Sequence, residues 1–255
     1  MPEDVTITAV DAHGVPAHWL MTPEANSHRV LLYLHGGGYT LGSLRSHGEL
    51  AARIGRAAGM RVLFPAYSLA PEHPFPAAVN DVLAAWRWLR TTNGAAPGSV
   101  VVAGDSAGAG LALTLLQSMR DAGESLPAGA VLISPLLDLT ASGASIVERA
   151  DEDAIFTPDA IRGLGPAYLG DADPRMPAAS PLFGSMRGLP PVLIQVGSAE
   201  VLLSDSERLA SAAADAGVDV TLQVADGLPH VYQAALGTPE AVSATRQIAD
   251  FTRRL

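Results

Sequence analysis

The chain has 255 residues, 48% of them hydrophobic, with glycine and proline spread along its length, which fits a single α/β domain around one sheet. Its net charge of −10 offers no basic stripe for nucleic acid, so we expect a small, neutral or mildly hydrophobic substrate and no nucleic-acid partner. Because the sequence shows no cysteine, no secretion signal and no apolar run near the ~18 residues that span a bilayer, we expect a cytoplasmic protein without disulfides or membrane attachment.

The chain opens with a pattern typical of a β-hairpin. Val5, Ile7 and Ala9 alternate with polar residues, and the turn-like residues 11–14 separate them from a second run, Val15 to Leu20. Six further short apolar runs follow, most of them ended by glycine, proline or serine. Such runs are typical of strands buried on both faces of a sheet. They lie at residues 29–34, 61–64, 99–103, 128–133, 191–196 and 218–224.

Helical patterns lie between these runs. They cover residues 46–58, 77–90, 107–122 and 204–216, with a final one at 239–255. An alternation of strand and helix predicts an α/β fold with a mainly parallel sheet and helices on both faces. In such a fold we expect ligand sites at the carboxyl ends of the strands.

Residues 136–189 break this alternation. The segment has acidic, proline-rich and glycine-rich stretches around short helical pieces such as 159–168, and no convincing strand. We interpret it as a lid or cap insertion over the active site within the single domain 1–255. The alternative is an ordinary surface excursion without function.

The sequence Gly-Asp-Ser-Ala-Gly occupies residues 104–108, between a predicted strand and a predicted helix. Its two glycines allow a sharp turn that exposes Ser106 above the sheet, at a helix N-terminus. The motif alone is weak evidence, but its position predicts that Ser106 is a nucleophile.

A second motif, His-Gly-Gly-Gly-Tyr at residues 35–39, ends an earlier predicted strand. Consecutive glycines leave backbone amides free to point into a cavity, so we predict that Gly37, Gly38 and Ala107 donate to an oxyanion. We also expect Tyr39 to contact the substrate. The alternatives are a flexible turn or a phosphate cradle, although no Lys-Ser/Thr pair follows as in a P-loop.

The general base must follow the nucleophile in this fold, and His230 is the one histidine that does. Its imidazole can take the Ser106 proton and return it to the leaving alcohol. The upstream histidines outside the glycine motif are interpreted as structural or solvated, namely His13, His18, His28, His47 and His73.

The triad acid has two candidates, Glu200 and Asp205, both after the predicted strand 191–196. Glu200 comes first after the strand and is favoured. Asp205 is expected at the start of the next helix, where a carboxylate has a structural role. Asp81, Asp105 and Asp138 are interpreted as structural, and no clustering suits a metal, so we expect no metal.

Together these motifs closely resemble the bacterial hormone-sensitive lipase family of esterases. The resemblance also rests on Tyr-Ser-Leu-Ala-Pro-Glu-His-Pro-Phe-Pro-Ala-Ala at residues 67–78 and on Leu-Pro-His at 228–230, and it runs from about Val5 to the C-terminus. It implies an α/β-hydrolase fold, a Ser–acid–His triad, and hydrolysis of short-chain carboxylic esters without a cofactor.

The sequence departs from the family pattern in two places. Many members carry aspartate as the triad acid, whereas residues 197–200 resemble the branch with Gly-Ser-Ala-Glu. Members usually begin with helices that form half of the lid. Here these helices are expected to be absent, leaving an acyl pocket covered only by residues 136–189. The last strand and helix resemble the surface through which relatives often dimerise, which implies a homodimer.

The sequence therefore predicts a carboxylesterase that acts on small, short-acyl esters through an acyl-enzyme. With 5% aromatic residues and no large apolar surface stretch, a true lipase is disfavoured. Two alternatives stay open: a lactone hydrolase with the same catalytic groups, and a hydrolase-like binding protein that has lost turnover.

Overall fold

The structure, a computed structural model, describes residues 1–255. Eight strands form one sheet, and every predicted strand is present, with ends shifted by one to three residues. The strands are β1 (Thr6–Asp11), β2 (Pro16–Met21), β3 (Asn26–Leu34), β4 (Met60–Pro65), β5 (Val100–Asp105), β6 (Gly129–Ile133), β7 (Val192–Gly197) and β8 (Val220–Ala225).

The strand order in the sheet is β1-β2-β4-β3-β5-β6-β7-β8. The predicted hairpin is confirmed, because β1 and β2 pair antiparallel from Thr6 opposite Met21 to Asp11 opposite Pro16. Strand β2 is also antiparallel to β4, and all remaining pairs are parallel. The carboxyl ends of β3, β5, β6, β7 and β8 therefore lie along one edge of the sheet, as predicted for an α/β fold.

Five long helices match the predicted ones, and two more lie within residues 136–189. They are α1 (Leu44–Ala58), α2 (Ala77–Thr91), α3 (Ala107–Asp121), α4 (Ser145–Glu148), α5 (Pro158–Leu169), α6 (Leu203–Asp215) and α7 (Pro239–Arg253). Local sequence sets several ends. Gly59 ends α1 with φ 64°, and Thr238 begins α7 by accepting a hydrogen bond from the Ala241 amide at 3.2 Å. None of the helices has the length and apolar character needed to cross a bilayer.

The sheet separates two apolar cores, because successive side chains of a strand point to opposite faces. In β5, Val100 and Val102 face the larger core with α2 and α3, whereas Val101 and Ala103 face the smaller core with α1 and α7. This burial on both faces explains why the parallel strands are continuously apolar rather than alternating.

Residues 136–189 contain no strand, as predicted. Helix α5 packs into the larger core through Ile161, Tyr168 and Leu169, whose exposed fractions are 2%, 1% and 5%. Thr157 caps this helix by accepting a hydrogen bond from the Ala160 amide at 3.2 Å. The segment is thus firmly packed, and its function as a lid stays a prediction.

Candidate active site

Ser106 lies on the tight turn between β5 and α3. Its backbone has φ 53° and ψ −121°, a conformation that costs free energy for a residue with a side chain. Two hydrogen bonds hold this turn: the Ser106 amide donates to the Ile133 carbonyl at 2.8 Å, and the Leu136 amide donates to the Ser106 carbonyl at 3.1 Å. The strained turn is typical of a nucleophile held above a sheet.

Close backbone packing requires the two glycines of the motif. A Cβ at Gly104 would lie 2.5 Å from the Gly108 carbonyl, and a Cβ at Gly108 would lie 2.1 Å from the Leu34 carbonyl oxygen. Any side chain at either position therefore pushes α3 away from the sheet. The motif is explained by packing as well as by the turn.

The glycine loop after β3 lies beside this turn. Gly37 and Gly38 have φ of 116° and 61°, and their amides donate to no acceptor within the protein. The carbonyl of Gly37 accepts from the amides of Thr40 and Leu41, at 3.1 and 2.9 Å. The amide of Ala107 is the first of α3 and has no intrahelical acceptor. All three amides predicted as oxyanion donors are thus without a helical or strand partner.

Tyr39 lies elsewhere than expected. Its side chain is 2% exposed, is not part of the cavity beside Ser106, and stacks on Tyr168 of α5 with ring centroids 4.0 Å apart. The stacking partner of Tyr39 belongs to α5, and Tyr39 itself has a left-handed backbone with φ 63°. In this structure Tyr39 makes a packing contact, so the prediction of a substrate contact does not match its placement.

His230 follows β8 and meets a carboxylate. Its Nδ1 lies 2.7 Å from Oε2 of Glu200, and the two side chains are 5% and 0% exposed. The other oxygen of Glu200, Oε1, accepts from the Ser134 hydroxyl at 2.8 Å and from the Gly197 amide at 2.7 Å. With Nδ1 occupied by Glu200, Nε2 of His230 is the nitrogen available for proton transfer.

Asp205 does not contact His230. It lies in the first turn of α6, 3% exposed, and its Oδ2 accepts from the amides of Leu137 and Asp138 at 2.8 and 3.1 Å. Burial raises the pKa of Asp205 to about 7 despite these two amides. Of the two candidate acids, Glu200 contacts the imidazole. Asp205 instead accepts hydrogen bonds from backbone amides of the segment that follows β6.

Asp105, beside the nucleophile, is buried at 1% exposure and accepts from the Tyr33 hydroxyl at 2.7 Å. Its other oxygen lies 3.5 Å from Nε2 of His47, whose Nδ1 is 2.8 Å from the Ser46 hydroxyl. Sequence interpretation treated His47 as structural or solvated, yet its ring faces the cavity beside Ser106.

His35 begins the glycine loop and is 1% exposed. Burial lowers its pKa to about 4, so the imidazole is neutral near pH 7. Its ring stacks on Tyr67 with centroids 4.3 Å apart, and the Tyr67 hydroxyl donates to the His35 carbonyl at 2.6 Å. These contacts tie the loop to residues 67–78, the stretch that also carried the family resemblance.

A cavity of about 300 Å³ brings these groups together. Its polar wall carries the nucleophile and both imidazoles, and its apolar wall includes two residues of the 136–189 segment. The lining residues are Gly37, Ser46, His47, Leu50, Asp105, Ser106, Ile155, Phe156, His230, Val231 and Ala234. Ser106 and His230 thus line the same cavity, although no hydrogen bond joins them in this conformation, as is common without bound substrate.

Two of the other acidic residues have structural contacts. Asp81 accepts from the Ser68 amide at 2.7 Å, and Asp138 binds Arg208 at 2.9 Å. Hydrogen bonds from Ser142, Thr140 and Arg208 outweigh burial and lower the pKa of Asp138. No group of three His, Cys, Asp or Glu side chains is arranged to hold a metal ion. The absence of a metal or cofactor stays a prediction.

Comparison with known proteins places the chain among ester hydrolases. Residues 31–234 match the α/β hydrolase fold family. An acetyl-hydrolase of Streptomyces hygroscopicus is 49% identical over 216 residues, which cover 85% of this chain and 72% of that protein. An esterase of Acinetobacter venetianus is 36% identical over 234 residues, covering 91% of this chain and 77% of that protein.

Solved structures give the same result. A crystal structure of an esterase from the bacterial hormone-sensitive lipase family is 44% identical, with a TM-score of 0.97 over 100% of this chain and 86% of that one. A crystal structure of EstE5 soaked with p-nitrophenyl butyrate is 42% identical, with a TM-score of 0.96 over 99% of this chain and 85% of that one.

Proposed function

Since this chain belongs to the α/β-hydrolase family, among the bacterial hormone-sensitive lipase esterases, and is a serine ester hydrolase, we propose that it cleaves small carboxylic esters with short acyl groups through an acyl-enzyme on Ser106. The observation that supports this proposal most directly is the cavity of about 300 Å³ that contains Ser106, His230 and Gly37. A cavity of this size suits a small ester, and its apolar wall suits a short acyl group.

In the first half of the reaction, the Ser106 oxygen attacks the ester carbonyl while Nε2 of His230 accepts the hydroxyl proton. The carbonyl oxygen becomes an oxyanion, which the amides of Gly37, Gly38 and Ala107 stabilise. When the intermediate collapses, the bond to the alcohol breaks and His230 returns the proton to the leaving oxygen. The alcohol departs and the acyl group stays on Ser106.

In the second half, a water molecule replaces the alcohol. His230 takes a proton from the water, whose oxygen attacks the acyl carbon and re-forms the oxyanion. Collapse breaks the bond to Ser106, which recovers its proton from His230 as the acid leaves. Glu200 keeps His230 in the tautomer with Nδ1 protonated and stabilises the imidazolium in both halves, which its 2.7 Å contact supports.

A pre-steady-state measurement tests this proposal. The wild type mixed with p-nitrophenyl butyrate should release a burst of p-nitrophenol followed by steady turnover, and Ser106→Ala should show neither. Ser211→Ala is a suitable control, since Ser211 is exposed on α6 and does not line the Ser106 cavity. If wild type and Ser106→Ala are equally inert while both bind the ester, the protein is a binding module. Faster hydrolysis of lactones than of linear esters would indicate a lactonase.

We also infer that the protein forms a homodimer through β8 and α7. Strand β8 is at the edge of the sheet with no partner on its outer side. Val224 on β8 and Val242 on α7 are 47% and 49% exposed. An edge strand with exposed apolar residues favours pairing with a second copy. Sedimentation velocity should give a dimer for the wild type and a monomer for Val224→Lys, and a monomeric wild type contradicts the inference.

A further inference from the structure

The ring of Tyr39, which ends the glycine motif, packs against the 136–189 segment, two of whose residues line the cavity. Tyr39 directly follows Gly37 and Gly38, and it stacks on Tyr168 with ring centroids 4.0 Å apart and an interplanar angle of 11°. Both rings are buried, at 2% and 1% exposure. Tyr168 lies in the last turn of α5, so this stack joins the loop to the 136–189 segment.

A second residue of α5 touches the loop. A Cβ at Gly38 would lie 2.6 Å from Cδ2 of Leu164, so the leucine side chain rests directly on the Gly38 backbone. Leu164 and Tyr168 are four residues apart and share one face of the helix. One face of α5 therefore covers two consecutive residues of the loop.

The hydroxyl end of Tyr39 lies against the helix that begins after the nucleophile. A Cβ at Gly110 in α3 would lie 2.6 Å from the Tyr39 hydroxyl oxygen. The carbonyl of Tyr39 also accepts from the Ala70 amide at 2.9 Å. Tyr39 thus contacts both α3 and α5, and its backbone accepts a hydrogen bond from the 67–78 stretch.

The loop needs such support because the backbone of Tyr39 is strained. Gly37, Gly38 and Tyr39 have φ of 116°, 61° and 63°, three consecutive residues in the left-handed region. A residue with a side chain in that region costs on the order of 1 kcal/mol or more, and it persists only where surrounding contacts determine the conformation. Oxyanion donors are effective only when they are held in place before the reaction.

We propose that Tyr168 and Leu164 of α5 are positioning residues for the oxyanion loop and act through Tyr39 and Gly38. The 136–189 segment then contributes to transition-state stabilisation, in addition to forming a wall of the cavity. The proposal rests on the proposed function, in which the amides of Gly37 and Gly38 bind the oxyanion. Neither tyrosine ring needs to touch the substrate.

The test compares Tyr168→Ala with two controls. Tyr168→Phe keeps the stacked ring and removes a hydroxyl that is buried without a hydrogen-bond partner. Trp88→Ala removes a different buried aromatic residue, which pairs with Trp19 at 6.1 Å and lies outside the cavity. For each variant, kcat and KM are measured with p-nitrophenyl butyrate. The kcat is expressed per reactive Ser106, counted by end-point titration with an organophosphate, so that misfolded protein does not contribute.

We expect Tyr168→Ala to lower kcat per titrated site by about 10- to 100-fold with little change in KM, because misplaced donors weaken only transition-state binding. The Ki of a trifluoromethyl ketone, which forms a hemiketal oxyanion on Ser106, should rise by a similar factor. Both controls should keep kcat within about twofold of wild type, since neither changes the loop's support.

Three outcomes overturn the proposal: a Tyr168→Ala variant with wild-type kcat per titrated site, a loss confined to KM, or an equal fall in kcat for Trp88→Ala. If Tyr168→Ala does not fold, Leu164→Ala is tested instead. It should lower kcat and raise the Ki of the ketone by the same factor. A Leu164→Ala variant with wild-type kcat and wild-type Ki then overturns the proposal. If the wild type itself shows no turnover, the proposed function is wrong. Failure of the proposed function can therefore be distinguished from failure of the positioning proposal.

Discussion

The imidazole of His230 and the carboxylate of Glu200 are joined by a contact of 2.7 Å between Nδ1 and Oε2, in surroundings where the two side chains are 5% and 0% exposed. A short contact of this kind is strong because water does not compete for either partner. The Ser134 hydroxyl and the Gly197 amide donate hydrogen bonds to the other carboxylate oxygen. These two bonds fix the orientation of the Glu200 carboxylate.

The first prediction concerns this carboxylate. Glu200→Gln should lower kcat by about 10³- to 10⁴-fold, because a neutral amide neither stabilises the imidazolium nor selects the correct tautomer. Steady-state kinetics with p-nitrophenyl butyrate measures the effect. Asp205→Asn is the matched control and should lower kcat by less than about tenfold, since Asn can still accept from the two amides that Asp205 binds. If Asp205→Asn lowers kcat far more than Glu200→Gln does, Asp205 is the triad acid.

The raised pKa of Asp205 predicts that the stability of the fold depends on pH. Burial raises its pKa from 3.8 to about 7, so the folded state holds the proton more tightly than the unfolded state. Ionisation of Asp205 therefore destabilises the fold progressively as the pH rises from about 4 to about 7. In urea unfolding, Asp205→Asn should gain stability relative to wild type across this range, by about 1.4 kcal/mol for each unit of pKa shift. A difference that is constant with pH, or that falls, contradicts the assigned ionisation.

The sequence predicted the fold well because its signals are local. A strand buried on both faces, such as β5, must be apolar throughout, and the residues that end it must turn. Ser106 and Gly37 could be identified for the same reason: the turn and the glycine loop follow directly from backbone requirements at the ends of β5 and β3. His230 could be identified because the chain offers one histidine after Ser106.

Other parts of the site depend on contacts between distant segments, for which no local pattern exists in the sequence. Ser134 supports both Glu200 and the Val231 amide, at 2.8 and 3.0 Å, but it looks like any serine after a strand. His47 reaches Asp105 only because α1 packs beside β5. Tyr39 was expected at the substrate because it adjoins the glycines, whereas in the structure its ring stacks on Tyr168, a residue distant in the sequence.

A further prediction concerns glycine substitutions. It distinguishes a loss of stability caused by backbone strain from a loss of kcat caused by a displaced oxyanion donor. A Cβ at Gly37, where φ is 116°, would lie 2.3 Å from the Leu41 carbonyl oxygen. Gly37→Ala must therefore shift the loop, and kcat should fall by about 10²- to 10³-fold, as for loss of one oxyanion donor. Gly94→Ala is the control, since Gly94 also has a left-handed φ, 74°, but open space around it. It should lose about 1 kcal/mol of stability and keep its kcat. Equal kinetics for the two variants would argue against the assigned donor.

The last prediction concerns acyl length. Phe156 lines the cavity and meets the His230 ring edge to face, with centroids 5.0 Å apart. Because this side chain limits the space beside the reacting carbonyl, Phe156→Ala should enlarge the cavity and raise kcat/KM for p-nitrophenyl octanoate relative to butyrate by about tenfold, the effect of one or two extra methylene contacts.

Phe183→Ala is a control within the same 136–189 segment, because Phe183 packs near Arg175 and does not line the cavity. Its ratio of octanoate to butyrate should equal that of the wild type. If Phe156→Ala leaves the ratio unchanged as well, acyl groups extend in a direction that Phe156 does not limit. The short-acyl preference must then arise from other lining residues, such as Leu50 and His47.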